Sequence, residues 1–239
     1  MPLFTIITIN LNNREGLERT IRSVRNQTFR DFEYIIVDGV SNDGSQEVLN
    51  DHSDIITKQL IEKDQGVYDA MNKGLKLAEG KYIQFLNSGD ELSGEDSLRR
   101  ISDQMNGSEI IYTDVRVFSR DGEHDLKFPD HLGWRFQLTD MLCHQGIFAA
   151  RSLFSRTGYF DITFRIYGDY DWLMNAIRKQ HATYQHIGEA LVRYEAEGMS
   201  NTSAKEKQRA EKDAIHDRYF SNLLLMMYRT YRKLNQIFS

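Results

Sequence analysis

Two hydrophobic periods alternate through the first 110 residues. Phe4-Thr5-Ile6-Ile7-Thr8-Ile9 is one aromatic followed by five β-branched residues, the mark of a strand buried on both faces. Leu17, Ile21 and Val24 then recur at helical spacing. Tyr34-Ile35-Ile36-Val37 reads as a second strand, and Glu47-Val48-Leu49 as part of a short helix after the turn formers Ser41-Asn42-Asp43-Gly44-Ser45. Ile55-Ile56 opens a third strand-like segment. Val67, Met71, Leu75 and Ala78 share one face of a helix, and Tyr82-Ile83-Gln84-Phe85-Leu86 is a further strand. Strands alternating with helices predict parallel pairing through right-handed crossovers, an α/β fold.

The second half has a different rhythm. Glu109 to Thr113 and Val115 to Phe118 read as two paired strands, with a turn at Gly122 and Leu126-Lys127-Phe128 beyond it. Trp134 to Leu142 reads as a short helix, Ile147-Phe148-Ala149 as a strand, Asp171 to Lys179 as a helix and Ala190 to Tyr194 as a late strand. From Lys205 the pattern is helical to the end. These shifts divide the chain into a body, 1–204, with halves meeting near residue 110, and a tail, 205–239.

Composition narrows the class. Hydrophobic residues make up 40% and charged residues 27% of 239, ordinary values for a globular protein. One cysteine, Cys143, permits no intrachain disulfide, which suits a reducing compartment. No 18-residue apolar run and no basic leader region is present, so cytoplasmic residence is the expectation. The net charge of −5 is uneven: the tail carries 8 Lys/Arg against 4 Asp/Glu, and no acid follows Asp217. A basic amphipathic tail on an acidic body fits an anionic membrane surface, at the inner face of the plasma membrane, or self-association. No basic stripe crosses the body, which argues against nucleic acid.

Three aspartates stand where chemistry is expected. Asp38 follows the strand Tyr34–Val37, and Asp90 closes Asn87-Ser88-Gly89-Asp90 after the strand Tyr82–Leu86. Ligands of open parallel sheets bind beyond the carboxyl ends of strands, so both acids fall on one edge. A carboxylate there can bind a base or ribose, or hold a hard divalent ion whose other oxygens come from phosphates. Plain turns would use the same residues. Gly168-Asp169-Tyr170-Asp171 opens a helix and fits either an N-cap or a general base, or both, with Asp171 capping and Asp169 facing the site. His144 and Gln145 could touch an acceptor, though a lone His is more often structural. Lys73 fits a solvated helix face better than a diphosphate contact.

These segments, in this order, resemble the family 2 glycosyltransferases, in the branch of colanic acid, capsule and O-antigen clusters. The matching pieces are the Phe4–Asn10 strand, Ser23-Val24-Arg25-Asn26-Gln27-Thr28, Val37-Asp38-Gly39-Val40-Ser41-Asn42-Asp43-Gly44-Ser45, Gly66-Val67-Tyr68-Asp69-Ala70-Met71-Asn72-Lys73-Gly74, Phe85–Asp90, His144-Gln145 and Gly168–Asp171. They span about residues 3–200. The resemblance implies a GT-A fold: a Rossmann-like, mostly parallel sheet flanked by helices, here with a helical tail. It implies an inverting transfer from a nucleotide-diphosphate sugar, usually a UDP-sugar, to a glycan or lipid-linked hydroxyl of a surface polysaccharide. It implies Mn2+ or Mg2+ on Asp90, Asp169 as base, Thr8, Asn10, Asp38, Asn72 and Ser88 around the donor nucleotide, and His144 and Gln145 near the acceptor. The chain departs from the family pattern with Gly89 before Asp90, with Met71 where many relatives have Arg, and with Glu195-Ala196-Glu197-Gly198-Met199-Ser200 where a late His is common. A sugar-phosphate nucleotidyltransferase shares the framework, but Asn10-Leu11-Asn12-Asn13-Arg14-Glu15-Gly16 is a poor basic phosphate loop. A non-catalytic sugar-nucleotide-binding relative is the other alternative, and the joint presence of Asp38, Asp90 and Asp169 argues against it.

Overall fold

The first four strands line up as the hydrophobic pattern requires. A computed structural model describes residues 1–119, 122–195 and 205–237, with no account of the side chains of Arg229 and 231–237. Segment 196–200, noted above, lies outside the described residues. Strands β1 (Phe4–Asn10), β2 (Phe32–Asp38), β3 (Lys58–Ile61) and β4 (Tyr82–Phe85) are parallel in the order β3-β2-β1-β4. Helices α1 (Arg14–Arg25), α2 (Ser45–Asp51) and α3 (Val67–Leu77) make the crossovers. Every residue of β1 is buried, which explains its β-branched run. The chain winds outward from β1 to β3 and then returns to place β4 on β1's other side. That reversal opens a crevice at the carboxyl ends of β1 and β4.

Beyond β4 the expectation of a mostly parallel sheet gives way. The other strands are β5 (Glu91–Leu92), β6 (Ile110–Ser119), β7 (Gly122–Leu126), β8 (Ile147–Ala150) and β9 (Tyr184–Glu195). The sheet continues β4-β8-β6-β9-β5, with β7 paired on β6. Of these later pairings only β6 with β9 is parallel. The two paired strands expected from 109 to 118 are one strand, β6, carrying a bulge at Asp114. Asp114, the residue between the two expected strands, is buried, accepting from the Phe128 amide at 2.9 Å and pairing with His186 Nε2 at 2.9 Å.

Other boundaries move for local reasons. The third strand is Lys58–Ile61 rather than Ile55-Ile56; as an edge strand with alternating exposure it shows little hydrophobic signal, while the isoleucine pair packs a turn onto the core. The segment expected helical from Asp171 to Lys179 starts earlier as α7 (Gly168–Met174) and ends in a π-turn, Asn175–Lys179. Between them lie α4 (Ser97–Gln104), α5 (Trp134–Thr139) and α6 (Arg151–Thr157). The tail forms α8 (Lys205–Tyr219) and α9 (Asn222–Ile237), broken at Ser221. It is not a free appendage: Ile215, Phe220 and Leu225 are buried in the common core. No helix among the described residues is long and apolar enough to cross a membrane.

Candidate active site

Asn10 ends β1 and Asp38 ends β2, and the strand register sets them side by side. Asn10 Nδ2 donates to Asp38 Oδ2 at 2.8 Å. The other carboxylate contacts come from Ser41, whose amide reaches Oδ1 and whose hydroxyl reaches Oδ2, each at 2.7 Å. Asp38 is fully buried. It therefore organises the loop Gly39–Asn42 from beneath instead of presenting a bare oxygen. Val40 on that loop is 51% exposed with φ at +67°. A β-branched residue in the left-handed region stores backbone strain, a feature that clusters at ligand-binding sites.

The loop after β4 connects to this corner through α1. Asn13 caps α1, accepting from the Gly16 amide at 3.1 Å, and its Nδ2 donates to the Ser88 carbonyl at 3.0 Å. Asp90 is buried at 5% exposure. Its Oδ2 accepts from Gln145 Nε2 at 3.0 Å and its Oδ1 from the Glu195 amide at 3.2 Å. Burial pushes its carboxyl up to about 6, a rise that the charge of His144 and these two hydrogen bonds only partly offset.

Asp169 sits one residue into α7. Gly168 precedes it because a Cβ there would lie 2.8 Å from the Tyr68 ring. That close approach sets Tyr68 Oη 3.1 Å from Asp169 Oδ1 and 2.6 Å from the Ile166 carbonyl, so its single proton is shared between the two acceptors, while the Tyr170 amide donates to Oδ1 at 2.9 Å. His144 Nδ1 meets Oδ2 at 2.8 Å. Burial works against charge on His144, but its hydrogen bond to Asp169 and the charges of Asp169 and Asp90 leave it above its ordinary value. Its Nε2 lies 3.0 Å from Asn87 Nδ2, while Asn87 Oδ1 is buried without a partner. Turning that amide would offer Oδ1 to the Nε2–H of an imidazolium, so the two orientations of Asn87 match the two charge states of His144.

The dipeptide His144-Gln145 thus joins the two acids, His144 on Asp169 and Gln145 on Asp90. Gln145, expected near the acceptor, is 4% exposed and acts as the brace of Asp90. Two expected donor residues are turned inward. Thr8 is fully buried, with its hydroxyl donating to the Leu86 carbonyl at 2.7 Å and bonded to Tyr34 Oη at 2.9 Å. Asn72 makes a pair of hydrogen bonds to the main chain of Phe160, 2.9 Å each way, and so ties α3 to the approach to α7. Asn72→Ala is expected to cost about 1–3 kcal/mol of stability while leaving donor affinity unchanged, measured by melting and calorimetry. Asp171, a candidate cap, caps nothing. It lies within the first turn of α7 and pairs with Arg218 at 3.0 Å.

The residues beside Asp90 can be weighed as a metal site. Gly89 has φ at +107°, and a Cβ there would lie 2.4 Å from Glu195 Oε2. The Glu195 carboxylate fills the space that an acid at position 89 would need. Among the described residues no three His, Cys, Asp or Glu side chains group to hold an ion. Such a donor set fits a hard divalent ion that draws most of its oxygens from a bound diphosphate, and does not fit a cage made by protein alone. Glu195 and Asn13 read in sequence only as ordinary strand and cap residues, and Tyr68 only as part of the matching segment Gly66–Gly74.

With this geometry in place, comparison with known proteins is decisive for the family. The model of glycosyl transferase family 2 matches residues 5–166. The chain belongs to that family. A PGL/p-HBAD biosynthesis glycosyltransferase of Mycobacterium bovis is 30% identical over 244 residues, covering 98% of this chain and 92% of that protein. The crystal structure of Staphylococcus aureus TarS 1-349 in complex with UDP-GlcNAc superposes with a TM-score of 0.71 at 19% identity, over 90% of this chain and 71% of that fragment. The mannosyltransferase PcManGT of Pyrobaculum calidifontis, in complex with GDP-Man and Mn2+, gives 0.62 at 15% identity, over 81% and 56%. The fold of this family 2 glycosyltransferase is thus the GT-A architecture, with a half-antiparallel sheet.

Proposed function

We propose that this glycosyltransferase moves a sugar from a nucleotide-diphosphate donor, a UDP-sugar, to a hydroxyl of a lipid-linked or oligosaccharide acceptor in bacterial surface glycan synthesis, inverting the anomeric carbon. The observation that carries the reading is the single turn, His144-Gln145, that grips Asp90 and Asp169 together. It sets a buried acid for the donor's diphosphate next to an acid able to take a proton. The UDP-GlcNAc held by TarS and the biosynthetic name of the mycobacterial relative support the donor class and the pathway class.

In this reading Asp169 takes the acceptor's hydroxyl proton on Oδ2, which has one hydrogen-bond partner and so a second lone pair. The acceptor oxygen forms its bond to C1 as the bond from C1 to the diphosphate oxygen breaks, and the electron pair leaves with the diphosphate. One displacement from the opposite face inverts the carbon. Tyr68 and His144 hold the Asp169 carboxylate in place throughout. Asp90 would hold Mn2+ or Mg2+, which when bound supplies positive charge against the leaving diphosphate. Asp38 and Asn10 would shape the nucleobase end through the loop Gly39–Asn42. On the outer face of α9, Leu223, Met226 and Met227 are 65%, 60% and 61% exposed, and the basic tail around them supports a seat on an anionic membrane surface.

The test is a panel of sugar nucleotides assayed with Mn2+, with Mg2+ and with chelator. One UDP-sugar is expected to release UDP and label a lipid-linked acceptor, with loss on chelation. Release of inorganic diphosphate from a nucleoside triphosphate would identify a nucleotidyltransferase instead, and no nucleotide binding with Mn2+ present would leave a non-catalytic relative.

A further inference from the structure

The helix that carries Asp169 is held from outside by the tail. Helix α7 has seven residues, no side-chain cap of its own, and a π-turn at its far end. So short a helix is not stable by itself. What supports it is α8. Glu211 Oε1 accepts from the Arg165 amide at 2.8 Å, and its Oε2 from the amides of Ile166 and Tyr167 at 2.9 and 3.0 Å. Three successive backbone N–H groups leading into α7 thus converge on one carboxylate. Just past Asp169, His216 Nε2 meets the Tyr170 hydroxyl at 3.1 Å, and Arg218 Nη1 donates to Asp171 at 3.0 Å. The tail therefore grips the chain on both sides of Asp169 without touching Asp169 itself. Ile215, buried between these grips, and Phe220, buried just past the end of α8, anchor it to the core.

We propose that α8 is a strap that fixes the orientation of Asp169, and that Glu211 is its principal positioning residue. The proposal rests on Asp169 as the proton acceptor of the transfer described above. Tyr68 and His144 set the carboxylate from the body, and Glu211 sets the backbone that carries it. A base misplaced by a fraction of a bond length loses its alignment with the acceptor hydroxyl, whereas the diphosphate end, built on β1, β2 and β4, has no contact with α8 in these bonds. The strap acts on turnover and leaves donor binding alone.

The experiment uses the full chain with Glu211→Ala and Glu211→Gln, and with Glu206→Gln as a control on an exposed residue of the same helix. Glu211→Ala is expected to lower kcat about tenfold or more, with donor KM little changed and a calorimetric donor stoichiometry still near one. Amide hydrogen exchange at 165–167 is expected to speed up by a similar factor. Glu211→Gln, which keeps one acceptor oxygen, recovers part of both effects, and Glu206→Gln changes neither. Wild-type exchange at 165–167 in Glu211→Ala would overturn the strap. So would a fall in kcat matched by an equal fall in donor stoichiometry, since that is loss of folded protein. If the wild type transfers no sugar yet the exchange effect appears, the strap stands and the assigned reaction fails.

Discussion

Asp169→Asn is expected to lower sugar transfer by roughly 10²- to 10⁴-fold, the usual range for removing a general base. The substitution removes basicity with little change in shape. Asn Oδ1 can keep the bonds from Tyr68 Oη and the Tyr170 amide. Its amide group would then face His144 Nδ1 as a donor, so His144 must turn to the tautomer protonated at Nε2. Asn87 Oδ1, now buried without a partner, can accept that proton if its amide turns. The fold therefore absorbs the change, and donor affinity measured by calorimetry is expected to stay within about twofold, because the nucleotide end is built from other strands. Full transfer activity in Asp169→Asn would remove Asp169 from the reaction.

Asp90→Asn is expected to have two effects of opposite benefit. Donor binding in the presence of Mn2+ should be lost, since the carboxylate proposed to hold the ion on the diphosphate loses its charge. The ligand-free protein should nevertheless become more stable at neutral pH. Burial raises the Asp90 carboxyl to about 6 in the folded chain. A raised folded value means the folded state holds a proton that the unfolded chain, near 3.9, has released. Stability from this group is thus fully present below about pH 4 and is lost as pH rises through about 6. The gap between the folded and unfolded values corresponds to about 3 kcal/mol, which at this chain length is a rise in Tm of roughly 5 °C or more for the neutral Asn variant at pH 7.5. At pH 4.5 the difference in Tm should shrink to about a third of its value at pH 7.5. A lower Tm for Asp90→Asn at pH 7.5 would mean that Asp90 is ionised and held by its neighbours, and that its burial is not the dominant force. The pairing of instability with function is the pattern expected where a buried charge is kept for a ligand.

The first half of the chain was readable because its signals are local. Strands β1, β2 and β4, buried on both faces, produce continuous apolar runs, and the acids at or beyond two of their ends, Asp38 and Asp90, fall on one edge as soon as those strands are parallel. Asp169 was readable only through the order of motifs around it. Where the reading slipped, a buried polar side chain had a partner far along the chain. Asp114, between the two strands expected from 109 to 118, is held within one strand by His186 and the Phe128 amide. The partners of Thr8 and Asn72 are equally remote in sequence: Tyr34 and Leu86 for Thr8, and Phe160 for Asn72.

Hydrophobic period and motif order by themselves determined the parallel first half of the fold, the family, and the three aspartates proposed for the site. Tertiary structure decided which oxygens those acids leave free, that Gln145 braces Asp90, that Glu195 stands in the space beside Gly89, and that a carboxylate of the tail holds the entrance to the Asp169 helix. The physical reason is range. Periodicity records whether a side chain meets water or core within a few residues, whereas a hydrogen bond between residues 46 or 105 positions apart leaves no trace in either neighbourhood.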